Sequence, residues 1–399
     1  MLATPTAHEI EELEQHYLAP TYKRAPFVLA RGDGVCLFDT EGRRYLDLCA
    51  GIATVALGHA DREIAETIAE QAQILGHVSN LYYSIPMVEL ARDLCEASFA
   101  DKVFFGNSGA EANEAAIKFA RRWATEHNPA KTRIVAFSNA FHGRTIGTLA
   151  ATPREKYQAP FRPLMPNVDF GVFNDLASAE ALMSDEVCAV MVEPVQGEGG
   201  IHVATLEFLS GLRDLCDRHN ALLIFDEVQC GMGRTGKLWA YEHTGVTPDI
   251  MTLAKPLGGG LPMGACLMTD RVASAIHAGD HGTTFGANPI IARAAQVVLR
   301  RINTPEFLAH VTEVGDYFRQ SLLDLGSPHI KEVRGQGLML GVELDVSANT
   351  IVDAGYEKGL IMVNAGETVL RFVPPLILNH ANVDETVLKL KEILDALDG

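Results

Sequence analysis

The stretch TLAKPLGGG (Thr252–Gly260) sets Lys255 at the end of an apolar run and follows it at once with Pro256 and three glycines. An ammonium is costly to take out of water unless it is paired or gives up its proton. Taken alone, Lys255 reads as a surface lysine opening a loop. At a strand end facing a crowded site, however, a desolvated amine has a lowered pKa and suits Schiff-base formation with a carbonyl. If the carbonyl is that of pyridoxal phosphate, four more groups are required: an anion site for the phosphate, a carboxylate for the pyridine nitrogen, a flat partner for the ring, and a cation for a substrate carboxylate.

A candidate for each is present. FFGNSGAEANEAAIK is a strand, a small-residue turn and a helix, whose first N–H groups around Ser108, Gly109 and Ala110 can cradle phosphate. A merely capped helix would read the same way. ALLIFDEVQ ends a buried strand on Asp226, placed to hold a pyridinium proton, although a capping or paired acid is the plainer alternative. FHGRT supplies Phe141 for the ring and Arg144 as a fork for a carboxylate.

These groups need rigid elements behind them. KVFFG, RIVAFS, VCAVMVEP, ALLIFDE and DIMTLA are short, continuously apolar and separated by helical patterns, as parallel strands covered on both faces are. The architecture predicted is α/β. After Asp280 the texture changes: helical patterns run from Pro289 to about Asn303 and on to about Leu325. They are followed by the strand-like IKEVRGQGLMLGVELD, GLIMVNAG and TVLRFVPP and a last helix from Val383 to Leu397, which predicts a smaller α+β domain with a boundary near residue 290.

With 399 residues, 47% of them hydrophobic, the chain has ample material for a large core. Its formal charge of −18 repels a phosphate backbone or an anionic membrane, so no nucleic acid and no membrane is expected as partner, and a small-molecule enzyme fits better. The seven scattered cysteines contain no C-x-x-C pair and read as reduced core thiols. With an acidic N-terminus and no long uncharged apolar run, a soluble cytoplasmic protein is expected.

Three motifs compete. GMGRTGKL (Gly231–Leu238) contains G-x-x-x-x-G-K and makes a nucleotide-binding protein using Gly231–Lys237 the rival outside this chemistry. Leu238 stands where a P-loop needs a hydroxyl for Mg²⁺, and no clear helical stripe follows. GNSGA approximates a nucleophile elbow but ends on Ala110. His277 and His281 are spaced four apart around Gly279 with no third ligand in view, so no metal site is expected.

The ordered segments NSGAEANEAAIK, FHGRT, VEPVQGEGG, FDEVQCGMGRTGKLWAYEHTGVTPDIMTLAKPLGGGLPMG, HGTTFGANP and LRFVPPLIL resemble the class III (subgroup II) pyridoxal-phosphate-dependent aminotransferases over nearly the whole chain. The resemblance implies fold type I: a large domain (51–290) with a mostly parallel seven-stranded sheet, and a small domain combining an N-terminal segment (1–50) with a C-terminal part (291–399). It implies a homodimer with active sites at the interface, and amino-group transfer to 2-oxoglutarate. The wording leans toward N-acetylornithine as donor, with ornithine, N-succinylornithine, succinyldiaminopimelate-type amines and 4-aminobutyrate as alternatives. Carried over, Lys255 bonds the cofactor and shuttles the proton, and Asp226 pairs with the pyridine nitrogen. Gln229 lies near the phenolic oxygen, and Val228 and Phe141 cover the ring's two faces. Ser108, Gly109 and Ala110 hold the phosphate together with Thr284 of the partner subunit. Ala110 replaces a threonine common in the family, so one hydroxyl is missing there. Arg371 is implied to grip the α-carboxylate of glutamate, Glu198 to pair with it when the ω-amino donor enters, and Arg144, with Thr283 nearby, to hold the donor's own α-carboxylate.

Overall fold

The computed structural model describes residues 6–397; the first five residues of the N-terminal segment and the last two of the C-terminal part lie outside the described residues. Seven strands form the central sheet in the order Lys102–Gly106, Gly264–Met268, Ile250–Leu253, Leu222–Asp226, Val187–Val192, Arg133–Phe137, Val168–Gly171. Neighbours run parallel from Ile250–Leu253 to Val168–Gly171, whereas Gly264–Met268 is antiparallel to both strands beside it. Val187–Val192, Leu222–Asp226 and Ile250–Leu253 are buried at every position, which is why they read as unbroken apolar runs.

Successive side chains of a strand point to opposite faces, and the core divides accordingly. Leu222 and Ile224 pack with Ala116 and Phe119 of helix Gly109–His127, while Leu223 and Phe225 pack with Phe208 and Leu212 of helix Leu206–Arg218. The α/β class expected from the sequence is thus found. Two strands of the sheet escaped the sequence reading. GACLM is five residues long and follows a glycine-rich turn directly, and Val168–Gly171 is a half-exposed edge strand, so neither carries the signal of its buried neighbours.

Outside this sheet, strands Leu29–Asp33, Cys36–Asp39 and Arg44–Asp47 form an antiparallel meander, and Leu360–Ile361 adds to its edge in parallel through Leu46 and Asp47. A second antiparallel sheet is ordered Ile330–Gln336, Met339–Leu344, Val369–Phe372, Val363–Asn364. Helix Pro289–Ile302 packs against helices Arg62–Ile74 and Ile85–Glu96, and helix Pro305–Leu323 against His380–Asp395. Among the described residues no helix is long and apolar enough to cross a membrane.

Candidate active site

At the C-terminal ends of the parallel strands a cavity of about 430 Å³ opens, lined by Lys255, Asp226, Ser108, Gly109, Ala110 and Phe141 among others. Ligands of open α/β sheets bind outside this edge. Strand Ile250–Leu253 delivers Lys255 into a short turn, Lys255–Gly258, with the lysine itself at φ 39°, a left-handed conformation uncommon for a residue bearing a side chain. Burial lowers the Lys255 pKa, and the nearby Glu198 charge only partly opposes it. Among the described residues no hydrogen bond or ion pair engages its amine. The neutral form that a nucleophilic lysine needs is thereby favoured.

Asp226 closes the next strand and is 3% exposed. Its Oδ2 accepts from Asn113 Nδ2 at 2.7 Å and lies 2.7 Å from His142 Nδ1, while Oδ1 accepts from Val228 N–H at 3.0 Å. Asn113 is fixed in turn by Thr252, whose hydroxyl donates to its Oδ1 at 2.7 Å. Burial works against the charged form of His142, but the hydrogen bond and charge of Asp226 prevail and the histidine pKa is raised. His142 Nε2 is buried and has no hydrogen-bond partner among the described residues.

A second buried acid, Glu193, lines the same cavity and accepts from Phe141 N–H at 2.9 Å and Gly197 N–H at 3.1 Å. Burial pushes its pKa up to about 7, with His142 opposing and Asp226 adding. Asn113, His142 and Glu193 were missed in the sequence. The usable signal was polar residues inside otherwise apolar or small-residue segments, an asparagine one turn into a helix and a histidine directly after Phe141.

Ser108 caps helix Gly109–His127, its hydroxyl accepting from Glu111 N–H at 3.2 Å. The first-turn N–H groups of Gly109 and Ala110 take no part in the helix ladder and lie in the cavity wall. A side chain at position 109 would bring its Cβ to 2.7 Å from Val228 Cγ1, so only glycine lets the helix start sit against that valine. These features fit pyridoxal phosphate: a long helix's N-terminus for the phosphate, a buried acid for the ring nitrogen, an unengaged amine, and Val228 and Phe141 among the lining residues.

Gln229 also lines the cavity, but its Oε1 accepts from the Arg371 guanidinium at 3.0 Å. The same nitrogen, Nη1, donates to Glu198 Oε1 at 2.5 Å. Arg371, 1% exposed on strand Val369–Phe372, and Glu198 stand just behind the cavity lining, and burial of Glu198 is outweighed by Arg371, so its carboxyl lies below the ordinary range. Arg144 is exposed at the mouth with its guanidinium 3.4 Å from the Tyr157 ring centroid, and makes no ion pair among the described residues. Thr283 and Thr284 are not brought into this cavity: Thr283 accepts from Asn107 Nδ2 at 3.1 Å and Thr284 is exposed.

The glycine motif Gly231–Lys237 forms turns around the buried Arg234, which donates to Leu338 O at 3.0 Å and Pro374 O at 2.6 Å, and no α-helix opens after it. The nucleotide site lacks the helix N-terminus it requires. Among the described residues no cluster of side chains could hold a metal ion.

Glu227, next to Asp226, turns away and accepts from Ala240 N–H at 2.6 Å and Tyr241 N–H at 2.8 Å. Burial pushes its pKa from an ordinary 4.5 up to about 8, against those two bonds. The folded chain therefore keeps a proton that the unfolded chain has lost within this window, so stability falls as pH rises from 4.5 toward 8. Glu227→Gln, which cannot ionise but turns its NH₂ toward one of the two N–H donors, is expected to lower the melting temperature, flatten its dependence on pH and leave turnover intact. Parallel curves for parent and variant would reject the assignment.

The family model described as "Aminotransferase class-III" matches residues 17–394. A protein of Alnus glutinosa named mitochondrial acetylornithine aminotransferase is 53% identical over 98% of this chain and 88% of its own length. A succinylornithine transaminase of Yersinia enterocolitica is 48% identical over 94% of both chains. Among solved structures, the ornithine aminotransferase of Toxoplasma gondii superposes with a TM-score of 0.95 at 30% identity, covering 100% of this chain and 97% of that one. The N-acetylornithine aminotransferase of Stenotrophomonas maltophilia gives 0.84 at 39% identity, covering 97% and 99%. A cavity with an unengaged lysine, a buried acid and a helix N-terminus, in a chain of this kinship, has one reading: the protein belongs to the class-III aminotransferases, transaminases that depend on pyridoxal phosphate.

Proposed function

We propose that the chain moves the terminal amino group of N-acetylornithine to 2-oxoglutarate. The observation that carries the reading is the contrast between two arginines: Arg371 is already neutralised by Glu198, whereas Arg144 stands at the mouth with no ion pair among the described residues. A donor whose α-carboxylate lies far from its reacting amine meets Arg144 and leaves the Glu198–Arg371 pair closed. Glutamate and 2-oxoglutarate react next to their α-carboxylate, and for them the pair opens so that Arg371 can take that group. Bound pyridoxal phosphate supplies the carbonyl that carries the amino group and the electron-withdrawing ring that acidifies the reacting carbon. Asp226 holds the proton on the pyridine nitrogen, Ser108, Gly109 and Ala110 bind the phosphate, Phe141 and Val228 fix the ring plane, and the Lys255 amine moves the proton.

The enzyme works, in this reading, as a homodimer. Leu81, Tyr82 and Tyr83 are 81%, 68% and 96% exposed, and Asn80 ties their segment to the loop that bears the exposed Phe285 by donating to Thr283 O and Gly286 O. An apolar surface of this kind calls for a second copy to cover it, and in such a dimer Thr284 would serve the other copy's phosphate site.

Initial rates with N-acetylornithine, N-succinylornithine, ornithine and 4-aminobutyrate, each with 2-oxoglutarate, test the donor. N-acetylornithine is expected to lead ornithine and 4-aminobutyrate by at least about tenfold in kcat/KM; a lead for ornithine would overturn the proposal, and a lead for N-succinylornithine would move it to that donor. Glu198→Ala should weaken the N-acetylornithine half-reaction on the order of tenfold relative to the glutamate one, and Arg371→Ala the reverse. Single-turnover changes in cofactor absorbance with each donor separate the two. Equal losses in both half-reactions would reduce the pair to a structural support.

A further inference from the structure

Between strand Arg44–Asp47 and Thr54, which lines the cavity, the chain winds the wrong way. Ala50, Gly51, Ile52 and Ala53 have φ of 52°, 61°, 64° and 61° in succession, closed by Ala53 N–H to Cys49 O at 2.9 Å and Thr54 N–H to Ala50 O at 2.8 Å. A left-handed turn crowds each Cβ against the following carbonyl, and a β-branched residue such as Ile52 suits it least. Gly51 alone escapes the penalty. Strain of this sort persists only where the surroundings over-determine it, and it gathers at functional sites.

What holds the turn is Asp47, 1% exposed. Its Oδ1 accepts from Cys49 N–H at 2.9 Å and Ala50 N–H at 2.8 Å, and its Oδ2 lies 2.6 Å from His59 Nε2. What the turn packs against are residues that flank the arginine–glutamate pair. Ala53 shares a core cluster with Val195 and Ile201, which bracket Glu198, and with Val373, two residues beyond Arg371. Val373 N–H donates to Leu48 O at 2.9 Å, tying the Arg371 strand to the residue after Asp47. The Cys49 thiol, pushed up to about 11 chiefly by burial and then by the Asp47 charge, also feels Arg371 and Glu198.

We propose that the left-handed turn Ala50–Ala53 is a strained wedge that sets the seat of Arg371 opposite Glu198, and that Asp47 is the positioning residue that keeps the wedge in shape. The inference rests on the reading of Arg371 as the group that takes the acceptor's carboxylate. Asp47 touches neither substrate nor cofactor; it acts through the turn.

Asp47→Ala is expected to raise the KM for 2-oxoglutarate about tenfold while the KM for the amino donor stays within about twofold. Asp47→Asn, which keeps an acceptor oxygen for the two N–H groups, should behave nearly as the parent. Ala50→Gly added to Asp47→Ala should recover most of the loss, because a relaxed turn needs less holding. A rise in both KM values by the same factor, or a deeper defect on adding Ala50→Gly, overturns the proposal. Should Asp47→Ala not fold, Gly51→Ala decides: the atoms nearest the new Cβ, Thr54 Cβ and Val55 Cγ2, are 3.9 Å away, so strain is added without a clash. Its melting temperature should fall by about 1–2 °C with the KM for 2-oxoglutarate raised, and no change in either overturns the wedge. Arg371→Ala is the control. If it leaves the KM for 2-oxoglutarate unchanged, the reading of Arg371 fails. The wedge then stands if Gly51→Ala melts lower while Ala50→Gly melts no lower than the parent, and falls if both melt lower.

Discussion

Lys255→Ala loses transamination by on the order of a thousandfold or more, while the protein still takes up pyridoxal phosphate. The two effects part because the cavity binds through other groups: the N–H groups at the start of helix Gly109–His127 and the Asp226 carboxylate do not rely on the amine. The amine itself has no replacement among the lining residues, since no second lysine reaches the cavity. Borohydride treatment followed by peptide mapping reads the covalent attachment, and equilibrium dialysis reads the cofactor retained. A variant that keeps near-normal turnover together with a borohydride-fixable bond at its usual place would remove Lys255 from the reaction.

Asp226→Asn is expected to cost on the order of a hundredfold to a thousandfold in turnover. Both carboxylate oxygens already accept: Oδ1 from Val228 N–H, and Oδ2 from Asn113 with His142 beside it. An amide put there must turn its NH₂ toward one of these donors, so the site loses a hydrogen bond as well as the charge that holds a proton on the ring nitrogen. With its partner neutral, His142 also loses what keeps its pKa raised, and burial then favours the neutral ring. Turnover at saturating cofactor, compared with Glu227→Gln, checks the prediction. The neighbour's carboxylate serves only the turn at Ala240 and Tyr241, and equal rates for parent and Asp226→Asn would reject the role.

Lys255 and Asp226 were legible because each ends a run of buried strand residues, and a charge at that place has few structural uses. The helix after Ser108 was legible from its turn and cap. Arg371, Glu198 and Gln229 carried no such local mark. They come from distant segments and meet only through the packing of the second antiparallel sheet, so only the resemblance pointed to them. Asn113, His142 and Glu193 stayed hidden for another reason. A buried polar residue declares itself by its partners, and those partners lie on other strands and loops. Thr283 and Thr284 lie outside the cavity, Thr283 bonded to Asn107 and Thr284 exposed.

The antiparallel strand Gly264–Met268 has a consequence for how the molecule comes into being. It lies between Lys102–Gly106, which leads to Ser108, and Ile250–Leu253, which leads to Lys255, pairing Gly106 with Gly264 and Leu253 with Ala265. The cradle and the amine are therefore not neighbours in the sheet; a later piece of chain is the shim between them. A polypeptide emerging from the ribosome cannot assemble the cavity until that shim has been made, and its closure joins segments far apart in sequence, the kind of contact that folds slowly. Until then both edges of strand Lys102–Gly106 are unpaired, and the nascent chain is exposed to mispairing there.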